Sequence, residues 1–187
     1  MNTTSPSLLQ RLRLPDEQAA WRRFVDLYTP LLYTWGRKAG LNAVDTADLV
    51  QEVLTLLVQK LPQFTYDPAR SFRGWLRTVT LNQFRQKARR RSDMLLSDPA
   101  AHADPAGADP AEAFAEAEYR QYLVRRALEL MQAEFQPTTW KACWEYAVQG
   151  RPAEEVAREL DTTVAVVYAA KSRVLRRLRQ ELAGLLD

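Results

Sequence analysis

A chain of 187 residues with 47% hydrophobic and 26% charged residues has the makeup of a soluble globular protein, one large domain or two small ones. Its one cysteine, Cys143, and one histidine, His102, exclude an intrachain disulfide and a Cys/His zinc set, so no metal or cofactor is expected and a reducing cytoplasm fits. No run approaches the roughly 18 apolar residues of a membrane span, and no apolar signal core opens the chain, so neither insertion nor export is expected. The net charge of +3 is unevenly spread: residues 1–91 carry +8, 92–118 carry −7 without a Lys or Arg, and 119–187 carry +2. Basic ends of this kind suit a polyanionic partner.

The first residues are polar, with at most a short helix at Leu8 to Leu12. From Asp16 to Ala39, Ala20, Phe24, Leu27, Leu31 and Trp35 recur at helical spacing and Tyr28 and Leu32 widen the stripe, which predicts an amphipathic helix crossed by Pro30 and closed at Gly40. The next helix is expected to start with Asp45 as its N-cap and to bury Val50, Val53, Leu54, Leu57 and Leu61. Asp48, Gln51, Glu52 and Thr55 follow i, i+3, i+4 and i+7 spacing, so they share the opposite face. Taken alone, that face reads first as a solvated acidic surface, with a docking surface for a basic partner as the functional alternative. Pro62 ends the helix, and a loop holding Phe64 and Tyr66 follows.

A long helix then starts near Phe72, with Phe72, Trp75, Leu76 and Val79 on one side. Its far end gathers Arg85, Lys87, Arg89, Arg90 and Arg91. Cations favour a helix C-terminus for dipole reasons alone, but five in seven residues exceed that need. A basic helix beside an aromatic loop suits nucleic acid, with cations on phosphates and rings stacked on unpaired bases.

Residues 92–115 are rich in Ala, Asp and Pro and read as a flexible acidic linker. A helix from Glu116 to Phe135 should turn Tyr119, Tyr122, Leu123, Ala127, Leu130 and Met131 inward. Another, capped by Thr138 or Thr139 and reaching Gln149, should bury Trp140, Cys143, Trp144 and Ala147. Beyond Gly150, Pro152 fits an N1 position, Glu154 and Glu155 the first helical turn, and Val156, Ala157 and Leu160 an apolar stripe. Thr162 or Thr163 can cap a last helix burying Val164, Val167, Ala170, Val174 and Leu178. The small Ala157 permits a close crossing, and a turn of three to four residues gives helix-turn-helix geometry, whose second helix can enter a major groove. An ordinary helical hairpin with a solvated basic face remains the alternative. The fold class is therefore all-α: two small helical domains, residues 1–91 and 116–187, joined by the acidic linker, the second ending in a helix-turn-helix.

Three stretches in this order, DTADLVQEV at 45–53, YDPARSFRGWLRTVTLNQFRQKARRR at 66–91 and VYAAKSRVLRRLR at 167–179, resemble the extracytoplasmic-function (ECF) group of bacterial RNA polymerase sigma factors of the sigma-70 family. The resemblance implies a non-enzymatic initiation factor with core RNA polymerase and promoter DNA, double-stranded and melted, as partners, and an anti-sigma factor as a candidate regulator. It implies polymerase docking through Asp48, Gln51, Glu52 and Thr55. It implies promoter melting and downstream-element binding through Phe64, Tyr66, Phe72, Trp75, Arg77, Asn82, Arg85, Lys87, Arg89, Arg90 and Arg91. For the upstream element it implies Ala165, Val166, Tyr168, Ala169, Ser172, Arg173 and Arg176, with Lys171 and Arg177 on phosphate. One departure is Asp161, which stands where such turns usually carry Gly; Asp tolerates a left-handed conformation better than most residues.

Two other readings compete. A helix-turn-helix transcriptional regulator would use the N-terminal helices as a sensor or dimerisation domain and bind its operator unaided. An all-helical enzyme acting on RNA or nucleotides would need a Gly-rich phosphate loop, a His-based acid/base pair or a metal cluster, and the sequence offers none of them. Asp45, Asp48 and Glu52 could in principle hold magnesium, but docking explains their helix better.

Overall fold

The structure is a computed structural model that describes residues 7–14, 16–63, 71–96 and 116–186, the side chains of 91–96 and 116 excepted. Every regular element among the described residues is helical, so the all-α class holds. The helices are α1 (Leu8–Arg11), α2 (Gln18–Lys38), α3 (Ala43–Lys60), α4 (Phe72–Leu96), α5 (Glu116–Met131), α6 (Pro137–Cys143), α7 (Ala153–Glu159) and α8 (Val164–Leu182). They fall into two compact units, the first built on Leu8–Tyr122 with the tail from Gly184, the second on Leu123–Ala183. The division runs through α5, and α4 extends past residue 91; the intervening 97–115 lie outside the described residues.

The first unit is held by aromatic packing. All seven apolar positions of the α2 stripe, Ala20, Phe24, Leu27, Tyr28, Leu31, Leu32 and Trp35, are buried. Phe24 stacks on Tyr28 at 4.4 Å between centroids, and Phe72 of α4 meets the pair edge-on at 6.2 and 5.9 Å, the offset and T-shaped geometries that ring quadrupoles prefer. The helix runs through Pro30, whose missing N–H removes one backbone bond. The hydroxyl of Thr34 donates to the Pro30 carbonyl one turn on, at 2.8 Å. Gly40 closes the helix with φ +89°.

α3 begins three residues earlier than the sequence pattern indicates. Asn42, not Asp45, is its N-cap: the Asn42 side chain accepts from the Asp45 N–H at 2.8 Å and donates to the Asp45 carboxylate at 2.9 Å. Asp45 thus sits in the first turn, where a carboxylate also meets the positive helix end. Thr46 and Leu49 also lie in the core beside Val50, Val53 and Leu57, while Leu54 is only half-buried. Thr46 is there because α2 and α3 cross closely at Gly36: a Cβ on Gly36 would lie 2.8 Å from the Thr46 methyl.

The start of α5 also belongs to this unit. Tyr119 is fully buried and stacks on Trp35 at 6.1 Å, and its hydroxyl lies 2.9 Å from the Tyr28 hydroxyl and donates to the Leu185 carbonyl at 2.9 Å. A phenol has one proton, so Tyr28 donates to Tyr119 and Tyr119 to Leu185. Burial, reinforced by the neighbouring Tyr119 hydroxyl, raises Tyr28 well above the ordinary phenol range, and burial likewise raises Tyr119 against the pull of Tyr28 and Arg73; both rings stay neutral.

The second unit has a core of small residues. Ala142, Ala153, Val156, Ala157, Val167 and Ala170 pack together, with Tyr146, Leu160 and Val164 partly covering them. Its helices begin slightly off the expected places. Pro137 opens α6 at its first position, ahead of Thr138 and Thr139, and Pro152 is the N-cap residue of α7 rather than N1. A π turn over Trp144–Val148 follows α6, closed by the Gln149 N–H on the Trp144 carbonyl at 3.0 Å. This wider turn sets back the angular advance of the helix. Ala142, Cys143 and Tyr146 face the core at spacings of three and four while Trp144 and Ala147 face outward, which corrects the expected Trp144 and Ala147 burial.

Candidate nucleic-acid interface

On α3, Asp48, Gln51 and Thr55 are exposed and Glu52 is half-buried. The Thr55 hydroxyl donates back to the Gln51 backbone carbonyl at 2.8 Å. The carboxylates are not left to solvent. Lys87 of α4 lies 3.3 Å from Asp48 and 3.8 Å from Asp45, and Arg90 lies 3.9 Å from Glu52. The acidic face of α3 and the basic end of α4, legible in the sequence only as separate features, therefore meet.

α4 divides its cations by helical phase. Lys87 and Arg90 turn toward α3, whereas Arg85 and Arg89 share an exposed face with Thr78 and Asn82 at spacings of three and four. Trp75 lies two turns before Asn82 and is half-buried, as is Arg77. Phe72 is wholly enclosed and touches Trp75 at 5.7 Å. Its contribution to any surface is to hold the helix start and the Trp75 ring, since reaching a ligand itself would open the core. Phe64 and Tyr66 lie outside the described residues, and so does the side chain of Arg91, which falls on α4.

The turn before α8 carries Asp161 at φ +49°, the left-handed conformation expected of it. The Thr163 side chain then accepts from the Val166 N–H and caps α8. Val167, Ala170, Val174 and Leu178 are buried as expected, Val164 only in part. Ala165, Val166, Tyr168, Ala169, Ser172, Arg173 and Arg176 are all exposed, Val166 at 49% and Tyr168 at 47%. Large apolar and aromatic groups so placed are a cost to a bare surface and an asset to one that is covered.

Two cations of α8 are already engaged. Arg177 is half-buried between Glu181, at 2.7 Å, and Glu134, at 3.0 Å. Glu181 is 3% exposed, and Arg177 helps to offset the cost of its buried charge. Contact of Arg177 with phosphate would therefore displace a carboxylate partner. Lys171 places its ammonium 5.0 Å from the centre of the Tyr146 ring, and Tyr168 meets the same ring edge-on at 5.4 Å. Tyr146 was not among the residues singled out from the sequence, although it follows the buried Ala142 and Cys143 at spacings of four and three.

A further group of charges ties the last residue of α7, Glu159, to Lys141 of α6 and to Arg151 before α7. Glu159 accepts from Lys141 at 2.9 Å and from Arg151 at 2.7 Å, and Arg151 also reaches Glu145 at 3.1 Å. These hydrogen bonds, that of Lys141 foremost, pull the Glu159 carboxyl down to about 2. Burial pushes the Cys143 thiol up, with Lys171 opposing, so that side chain is a small apolar core group. Among the described residues no cluster of His, Cys, Asp and Glu fit for a metal ion occurs, and no helix is long and apolar enough to cross a membrane.

No curated protein matches the chain. Residues 24–93 match the family model described as Sigma-70 region 2; they take in most of α2, all of α3 and nearly all of α4. The match supports a sigma-70 family sigma factor, a non-enzymatic transcription initiation factor with a role in promoter recognition and RNA polymerase binding.

Proposed function

We propose that this chain is an ECF-group sigma factor that docks on core RNA polymerase through Asp48, Gln51, Glu52 and Thr55. In this reading α4 meets promoter DNA, and Phe64, Tyr66 and Trp75 help to hold bases out of the melted duplex. The helices α7 and α8 act as a helix-turn-helix on the upstream element. The observation that carries the reading is that the region 2 match covers both α3, with its exposed amide and acidic face, and α4, with its separate exposed cationic face.

The physical division of labour follows. Unstacking a base costs a few kcal/mol, offset where aromatic groups receive it, while Arg85 and Arg89 are placed to neutralise the adjoining backbone. On α8, the exposed Ala165, Val166 and Ala169 suit thymine methyl groups, and Tyr168 and Arg173 suit polar base edges. Two modest contacts on one chain reinforce each other because the second is effectively intramolecular. The reading is tested by adding the purified protein to core RNA polymerase and measuring run-off transcription from a genomic promoter library. Promoter-specific products are expected. A protein that stimulates no promoter, yet binds a defined operator without polymerase, is the helix-turn-helix regulator instead.

A further inference from the structure

We propose that Tyr146 is a positioning residue for duplex recognition, a part that rests on the reading of α8 as the helix that meets the upstream DNA. Tyr168 and Lys171 lie three residues apart on α8 and converge on the Tyr146 ring, the ammonium at 5.0 Å from its centre and the Tyr168 ring at 5.4 Å and 68°. Both contacts use the ring quadrupole: the cation meets the π system and the second ring meets it in edge-to-face geometry. Tyr146 is itself well fixed. It packs on the small-residue core of its unit and sits inside the π turn Trp144–Val148, whose exit is tied by the Arg151 N–H on the Glu145 carbonyl at 3.1 Å.

An exposed tyrosine and a lysine on a bare helix would sample several rotamers and lose that freedom on binding. Anchored on a ring held by the core, they meet the DNA already ordered, and less of the interaction is spent on ordering them. The Tyr146 hydroxyl has no part in this; its π face does.

The test therefore changes the π face and keeps the volume. Footprint titrations are run with the full chain bound to core polymerase, on a promoter and on the same promoter with a substituted upstream element. Tyr146→Phe should bind and discriminate as the wild type does. Tyr146→pentafluorophenylalanine, which reverses the ring quadrupole, should lower upstream-element affinity by roughly 3- to 10-fold. In that background Lys171→Gln should add little, although alone it weakens binding. A tyrosine that only fills space would leave the fluorinated variant equal to Tyr146→Phe and the Lys171→Gln effect undiminished, and either result overturns the proposal while the sigma reading stands. A wild-type protein that gives no footprint with polymerase overturns that reading and this proposal with it.

Discussion

The two units display their charge in opposite ways. On α8 the candidate DNA-reading side chains Ala165, Val166, Tyr168, Ala169, Ser172, Arg173 and Arg176 all stand in solvent, ready to be covered. On the α3 and α4 pair, Asp48 and Glu52 are matched by Lys87 and Arg90 at 3.3 and 3.9 Å. Ion pairs this exposed contribute on the order of 0–1 kcal/mol each, so exchanging one for a partner's charge costs little. The first unit can therefore lend its surface charges to binding because its stability lies elsewhere, in the Phe24, Tyr28 and Phe72 cluster.

The largest expected effect tests that separation directly. Phe72→Ala should destabilise the protein by about 3–5 kcal/mol, the usual loss for a fully enclosed ring, read from urea unfolding followed by tryptophan fluorescence. Asn42→Ala removes the N-cap of α3 and its reciprocal bond with Asp45, and should cost about 1 kcal/mol in the same assay. Lys87→Ala, which breaks the pairs to Asp48 and Asp45, should stay within about 1 kcal/mol; a loss as large as that of Phe72→Ala would show that the charges, not the rings, hold this unit.

The smallest effect concerns the braced carboxylate of the second unit. Glu159 titrates at about 2 in the folded protein against an ordinary 4.5. Its folded value is depressed, so its contribution is complete above 4.5 and fades as pH falls from there toward 2. Glu159→Gln should flatten that part of the stability profile, measured by thermal unfolding across the same window, and leave the profile near neutrality parallel to that of the wild type.

Much of this architecture was legible in the sequence because it depends on helical period. The α2 stripe, the exposed faces of α3 and α8, and the left-handed Asp161 all follow from local spacing and local conformational preference. The parts that were not legible depend on contacts between segments or on helix register. Asn42, not Asp45, caps α3, and the burial of Thr46 depends on the close crossing of α2 at Gly36. The inward face after Pro137 runs through Ala142, Cys143 and Tyr146 and leaves Trp144 and Ala147 outward, a phase that the large Trp144 ring does not announce. Tyr119 was correctly read as inward, but its neighbours are Tyr28 and Trp35, more than eighty positions away. The same applies to the pairing of α3 carboxylates with α4 cations: each face is a local pattern, and their meeting is tertiary.

The central claim is that the α3 face docks on polymerase. Co-elution of the full chain with core RNA polymerase on size exclusion tests it, comparing the wild type with the double variant Gln51→Ala and Glu52→Lys. Gln51 is exposed, and Glu52 loses its long pair with Arg90, so the double variant should unfold at a temperature close to that of the wild type. The account predicts that the wild type co-elutes and the folded double variant does not. A folded double variant that still travels with the polymerase would contradict it.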